Sequence, residues 1–160
     1  MSRANELWGA KSLDHLFPGG ATTAPTPWPT ARKTPILRSH NLPMVHDAMR
    51  NPDAHFRDMD PRELHGTQDM LTRVGVSHYL QGSSGTFADQ GNAGNEHPVV
   101  FHNEKYDQNV LLTGHHRAAS ALLQGQNFRP IYVSGPPLSH RETSAYQNEL
   151  IQAQRRLRGN

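Results

Sequence analysis

The residues best placed for chemistry lie in one run, Leu111-Leu112-Thr113-Gly114-His115-His116-Arg117-Ala118-Ala119. It reads as the end of a strand, a glycine and the first turns of a helix. A helix N-terminus presents unpaired backbone N–H groups and about half a positive charge. A glycine in front of it lets an anion approach the backbone closely. Arg117, in the first turn, adds a planar fork that can hold two oxygens at once. Gly114, His115, His116 and Arg117 together therefore form a candidate cradle for phosphate or carboxylate. The plain alternative is a glycine present for steric reasons alone. Either histidine is a candidate general base or phosphate hydrogen-bond donor, because the helix dipole favours neutral imidazole. Adjacent helical side chains point about 100° apart, so one metal would not be shared between the two. The structural alternative has one histidine capping the turn and the other packing against the loop.

The elements that must position this turn follow from periodicity. Residues 98–102 (PVVFH) and 110–113 (VLLT) read as strands joined by the polar stretch 103–109. Residues 115–124 read as a helix closed by Gly125, with Ala118, Ala119, Leu122 and Leu123 as a narrow apolar stripe. A third strand covers 131–133. Upstream, Thr67 is placed to cap a helix running to about Leu80, weakened by Gly75. A turn is expected at Asp60-Pro61 and a short helix near 44–50. Between 81 and 97 four glycines alternate with Ser, Asn and Asp. This loop is read as a lid, with Asn92 and Asn95 facing the ligand, or as plain disorder. Residues 4–17 read as one short amphipathic helix carrying Leu7, Trp8, Leu13, Leu16 and Phe17. Six of the twelve prolines fall within 18–43, so that stretch is expected to be extended, with Trp28 as a docking knob or tucked onto the core. At the far end, Ser139 and Glu142 form a capping box for a terminal helix whose apolar positions are Tyr146, Leu150, Ala153 and Leu157.

The division is thus a proline-rich arm over 1–43, an α/β domain over 44–135 and a C-terminal helix over 136–160. Composition agrees with one domain: 160 residues, 34% hydrophobic, with a mean hydropathy of −0.74. That supplies one core of about 90–110 residues. The net charge is +2, from 16 basic and 14 acidic residues. So near a balance excludes an acidic solvating chain and a simple cationic nucleic-acid coat. Thirteen of the 16 are arginine, the better phosphate fork. With no cysteine, disulfide scaffolds, cysteine-ligated zinc ribbons, iron–sulfur ligation and thiol catalysis are excluded. No apolar run is long enough to span a membrane or act as a secretory signal, which leads to a cytoplasmic expectation.

The stretch Val99 to Val133, with its hairpin, Gly114-His115-His116-Arg117 turn, alanine-rich helix, Gly125 and closing strand, resembles the ParB/sulfiredoxin-like superfamily, also called ParB-like nuclease domains. The helix expected from Thr67-Gln68 is similar to the one that precedes the sheet there, so the likeness covers roughly 61–135. It implies a small mixed sheet with helices that sets nucleotide phosphates or nucleic-acid backbone on the Gly-x-x-Arg turn, with Mg²⁺ accompanying a nucleotide. Nuclease, NTPase or other phosphoryl-transfer activity follows from the same resemblance. Two departures narrow it. Partition proteins carry a glutamate where His115 stands, and the sulfinic-acid reductase carries its reactive cysteine there. No helix-turn-helix reader follows residue 135.

Two other readings compete. His102, Asn103 and Asn109 followed by His115 or His116 have the order of a ββα-metal nuclease, with Glu96, Glu104 and Asp107 as the acids nearby. Alternatively the chain is a catalytically inert adaptor, such as a phage or mobile-element structural protein, that binds protein partners through its arm and terminal helix. Nucleotide-binding P-loops, zincin helices and nucleophile elbows are absent from the sequence.

Overall fold

The computed structural model describes residues 3–31, 47–81 and 97–135, together with Gln152. In chain order the elements are α1 (Arg3–Leu7), α2 (Leu13–Leu16), β1 (Thr23–Pro25), α3 (described over 47–50), β2 (His65–Gly66), β3 (Met70–Thr72), α4 (Arg73–Leu80), β4 (Val99–Asn103), β5 (Gln108–Thr113), α5 (His115–Gln124) and β6 (Ile131–Gly135). The fold is mixed α/β. β2, β5, β4 and β6 form a four-stranded sheet in that order, while β1 and β3 form a separate antiparallel pair. β4 and β5 are the antiparallel hairpin, and β2 and β6 run parallel to their neighbours β5 and β4.

Alternation of side chains across the pleat divides the core in two. On one face Val100 and Leu111 pack against Ala118, Ala119, Leu122 and Leu123 of α5, the stripe expected from the sequence. On the other, Val99, Phe101, Ile131 and Val133 enclose Ala48, with Phe56 and Leu112 at the margin. Each fully buried Val, Leu, Ile or Phe among these contributes about 1.5–3 kcal/mol. α5 stops at Gly125, whose φ is 67°. The amides of Gly125 and Gln126 return to the carbonyls of Leu122 and Ala121, a Schellman ending.

That ending is completed from far away in sequence. The amides of Gly9 and Lys11 donate to the carbonyls of Leu122 and Leu123 at 2.9 and 2.8 Å. The backbones touch there, for a Cβ on Gly125 would come 3.0 Å from the Gly9 Cα. The stretch expected as one helix over 4–17 is accordingly two short helices, broken where Gly9 and Lys11 adopt positive φ. Nor is the described part of the arm extended away from the domain. Ala4, Leu7, Leu16, Phe17, Ala24 and Trp28 all belong to the main core. Trp28 is 4% exposed, and its indole N–H donates to the Pro61 carbonyl at 2.6 Å. The next residues pair along β2: the Gly66 amide donates to Pro29 and the Ala31 amide to Gly66.

Thr67 does not cap a helix. The chain first forms β3 against β1, and Thr72 caps α4 by accepting the Gly75 amide at 3.2 Å. Competition from the β1 partner, invisible in the local pattern, turns 70–72 into strand. The Asp60-Pro61 turn is present as a 3₁₀ turn over Pro61–Glu63, capped by the Asp60 carboxylate, which accepts the Arg62 amide. After a 3₁₀ turn over Pro52–Ala54, residues 55–59 run along the chain entering β6, with Phe56 opposite Ile131 and Met59 opposite Phe128. No helix among the described residues is long and apolar enough to cross a membrane. The 82–96 loop lies outside the described residues, as does the terminal helix apart from Gln152, which is helical.

Candidate anion-binding site

Gly114 caps α5 at φ 91°, ψ 27°. A Cβ there would sit 2.4 Å from the Pro98 Cβ and 2.8 Å from its Cα, so only glycine lets the hairpin and the helix meet at this corner. β5 and β2 deliver the turn from one side, and α4 closes it from the other.

His115 and His116 both turn into the protein, at 3% and 5% exposure. The Thr67 amide donates to His115 Nε2 at 3.2 Å, and the Trp28 ring meets the same imidazole edge-on at 6.1 Å. The Thr72 amide donates to His116 Nε2 at 3.1 Å. Room for the second ring exists because residue 75 is glycine: a Cβ there would lie 2.5 Å from the His116 ring. Burial first, and the neighbouring His116 second, push the His115 pKa down to about 4. Burial lowers that of His116 as well. Both are therefore neutral near pH 7. An Nε2 that accepts an amide leaves the ring proton on Nδ1, so neither nitrogen offers a lone pair to a substrate proton. The two candidate bases are thereby positioning residues, which hold the 67–72 segment beneath the first turn of α5. Thr67 adds to this by donating its hydroxyl to the Leu111 carbonyl at 2.8 Å.

Arg117 points about 100° round the helix from His116 and borders the surface. Its guanidinium lies over the Tyr79 ring, 4.9 Å from the centroid. Beside it a cleft of about 290 Å³ opens between α5 and the 126–129 segment, lined by Tyr79, Pro98, Arg117, Gln124, Asn127 and Arg129 among others. The lining combines two guanidinium groups with amide side chains and no carboxylate, and Arg129 is paired with Asp58, outside the lining, at 3.1 Å. It suits an anion with a polar body attached.

The other histidine arrangement does not come together. His102 sits at the hairpin end, with Nδ1 2.8 Å from Asn109 Oδ1 and Nε2 3.1 Å from Asp107 Oδ1. Gly114 is five residue steps beyond Asn109 along β5, about 17 Å in a strand. The strand histidine and the helix histidines of a ββα-metal site are thus at opposite ends of β5. Asn103 Oδ1 accepts the Lys105 amide, and Glu104 accepts from Ser134. Among the described residues no three His, Asp or Glu side chains form a metal-holding group. Asn92, Asn95 and Glu96 lie outside the described residues.

Sequence reasoning missed Thr72, Gly75, Tyr79 and Arg129. Gly75 carried a signal, since a glycine inside a helical pattern often marks a close neighbour. Arg129 carried none: its place follows from the path of the chain after the Schellman turn. Comparison with protein-family models, with curated proteins and with solved structures returns no match.

Proposed function

We propose that this chain is a phosphate-binding domain of the ParB/sulfiredoxin type, taking a nucleotide or a nucleic-acid backbone in the cleft beside Arg117, between α5 and the 126–129 segment. One observation carries the reading. Arg117, held on Tyr79 in the first turn of α5, borders a cleft whose lining has no carboxylate and also includes Arg129, itself paired with Asp58. The cleft runs from Arg117 along Ser120, Ala121 and Gln124. Gly114, His115 and His116 do not line it, and Pro98 fills the corner at Gly114. The order of hairpin, Gly-His-His-Arg turn, small-residue helix and closing parallel strand supports the family assignment.

The proposed role is binding. With His115 and His116 occupied by backbone amides, no base for hydrolysis stands at the turn among the described residues. Nor does the cleft suit Mg²⁺: a hard divalent ion requires carboxylate or comparable oxygen ligands, and the lining has no acid. A nucleotide would bring any such ion on its own phosphates. A cytoplasmic setting goes with this reading. The adaptor reading draws on the arm and the terminal helix: Trp28 of the arm is buried, and the terminal helix lies outside the described residues apart from Gln152.

The test is a thermal-shift and calorimetric series on the full chain with CTP, ATP, ADP and short DNA, with and without Mg²⁺. Stabilisation of several degrees by at least one phosphate ligand, lost in Arg117→Ala, is the expected result. Silence from every ligand removes the proposal.

A further inference from the structure

Among the described residues two large apolar side chains are exposed, Met70 and Val74, at 46% and 62%. Val74 belongs to the first turn of α4, where its neighbours Gly75 and Val76 are buried. It lines a groove of about 390 Å³ between α2 and α4, together with Leu13, Arg73, Ser77, His78 and Gln81. Val74, Ser77, His78 and Gln81 recur at helical intervals, so the groove follows α4 for about two turns. Its wall is fixed by Arg73, which donates to the Asp14 carboxylate at 2.7 Å and to the Phe17 carbonyl at 3.2 Å. A groove along a helix, apolar at Leu13 and Val74 and polar at its other residues, has the form that receives an amphipathic helix.

The chain carries such a helix beyond Gly135. Tyr146, Leu150, Ala153 and Leu157 follow the Ser139–Glu142 capping box at helical spacing. Gln152, off that stripe, is helical and exposed. A helix of this kind owes most of its stability to burial of its apolar face. Two heptads are too few for a coiled coil with a second copy, which takes about three to four. The linker 136–138 spans about 10 Å, and a helix over 139–158 about 30 Å. Together they reach round a domain of about 100 residues, whose radius of gyration is about 13 Å. We propose that the groove between α2 and α4 seats this chain's own terminal helix, with its stripe laid over Leu13 and Val74. α4 is then held on both flanks, by the terminal helix on one and by α5 on the other, where Gly75 leaves room for the His116 ring. The seat requires neither a phosphate ligand nor Arg117.

The chain has no cysteine, so two introduced thiols report a single distance. Ser77→Cys with Ala153→Cys, treated as the full chain with a short bismaleimide, should link within one molecule in most chains. Gln124→Cys with Ala153→Cys, which probes the cleft beside Arg117, should link about tenfold less. In a second measurement, hydrogen exchange of the 146–157 amides should accelerate about tenfold or more in Val74→Asp. The amides of α5 and β4 should keep the parent's rates in that variant, which shows the fold intact. A link between two molecules assigns the groove to a second copy and overturns the proposal. Equal yields from the two pairs, no link at all, or terminal amides indifferent to Val74→Asp overturn it as well.

Discussion

His115 and His116 are 3% and 5% exposed, and each gives its Nε2 to a backbone amide from the 67–72 segment. The next residue, Arg117, lies over Tyr79 at the surface and borders the cleft. Three consecutive polar side chains, all with phosphate chemistry available to them, are thus divided between holding the fold and meeting a ligand. The division follows from about 100° of rotation per helical residue and from what each direction meets. Inward lie Trp28, Gly66 and the Gly75 gap. Outward lies a groove between two segments. Residue type announces the chemistry a turn could do, while packing decides which of its members are left to do it.

The inner side is the more sensitive to change. Gly114→Ala introduces a side chain at φ 91° and 2.4 Å from Pro98, combining backbone strain with overlap. Each costs about 1–3 kcal/mol, so the variant should lose about 3 kcal/mol or more in denaturant unfolding. A loss below about 1 kcal/mol would mean that the corner is looser than the contact with Pro98 requires.

Acid should release the inner side next. Above about pH 6.5 both imidazoles are neutral whether the chain is folded or not. As pH falls below that value, the unfolded chain takes up protons that the buried His115 refuses until about pH 4. Stability contributed by the neutral ring is therefore complete above pH 6.5 and drains away between there and pH 4. For His115 it is on the order of 3 kcal/mol. His116, shifted in the same direction, steepens the fall. Unfolding free energies measured across this window should show the decline, and a His115→Gln, His116→Gln double variant should flatten it. An equally steep decline in that variant would assign the acid sensitivity to carboxylates instead.

How much of this could be read from the amino-acid order varies with the distance over which each element is decided. The hairpin, α5 and β6 are recognisable because their signals are local: alternation, an alanine–leucine stripe and glycines at both helix ends. The same holds for Gly114 and Arg117, whose placement depends on the turn they belong to. The 70–72 strand was illegible because its partner is Thr23–Pro25, nearly fifty residues earlier. So was the role of residues 3–31: prolines at 25, 27 and 29 argue correctly against a helix, yet they are compatible with a strap that pairs along β2. Gly75 looked like a flaw in a helix and is the space into which His116 fits. The histidines were legible as a pair and illegible in their direction, since that direction is set by Trp28 and Gly75, contributed from elsewhere in the chain.

The outer side should answer differently. Arg117→Ala removes a group that leans on one ring and a groove, so its unfolding midpoint should stay within a few degrees of the parent. Its affinity for a phosphate ligand should fall at least tenfold, equivalent to about 1.4 kcal/mol. A variant that lost both stability and binding would place Arg117 with the histidines, and the two sides of the turn would no longer be distinct.

The smallest effect belongs to the far end of β5. His102 faces Asn109 and an Asp107 side chain that is 91% exposed, and such a pair contributes at most about 1 kcal/mol. His102→Gln keeps a donor and an acceptor at similar reach. It should cost less than about 1 kcal/mol in unfolding and leave the affinity for ADP beside Arg117 unchanged, because the length of β5 separates the two places. The contrast with the Gly114 corner then becomes quantitative: two histidine-containing ends of one strand, one holding the fold together and the other at its edge. If His102→Gln instead abolished ligand binding, the hairpin end would belong to the site. A strand histidine working together with the α5 turn, as in a ββα-metal nuclease, would then have to be reconciled with their separation along β5.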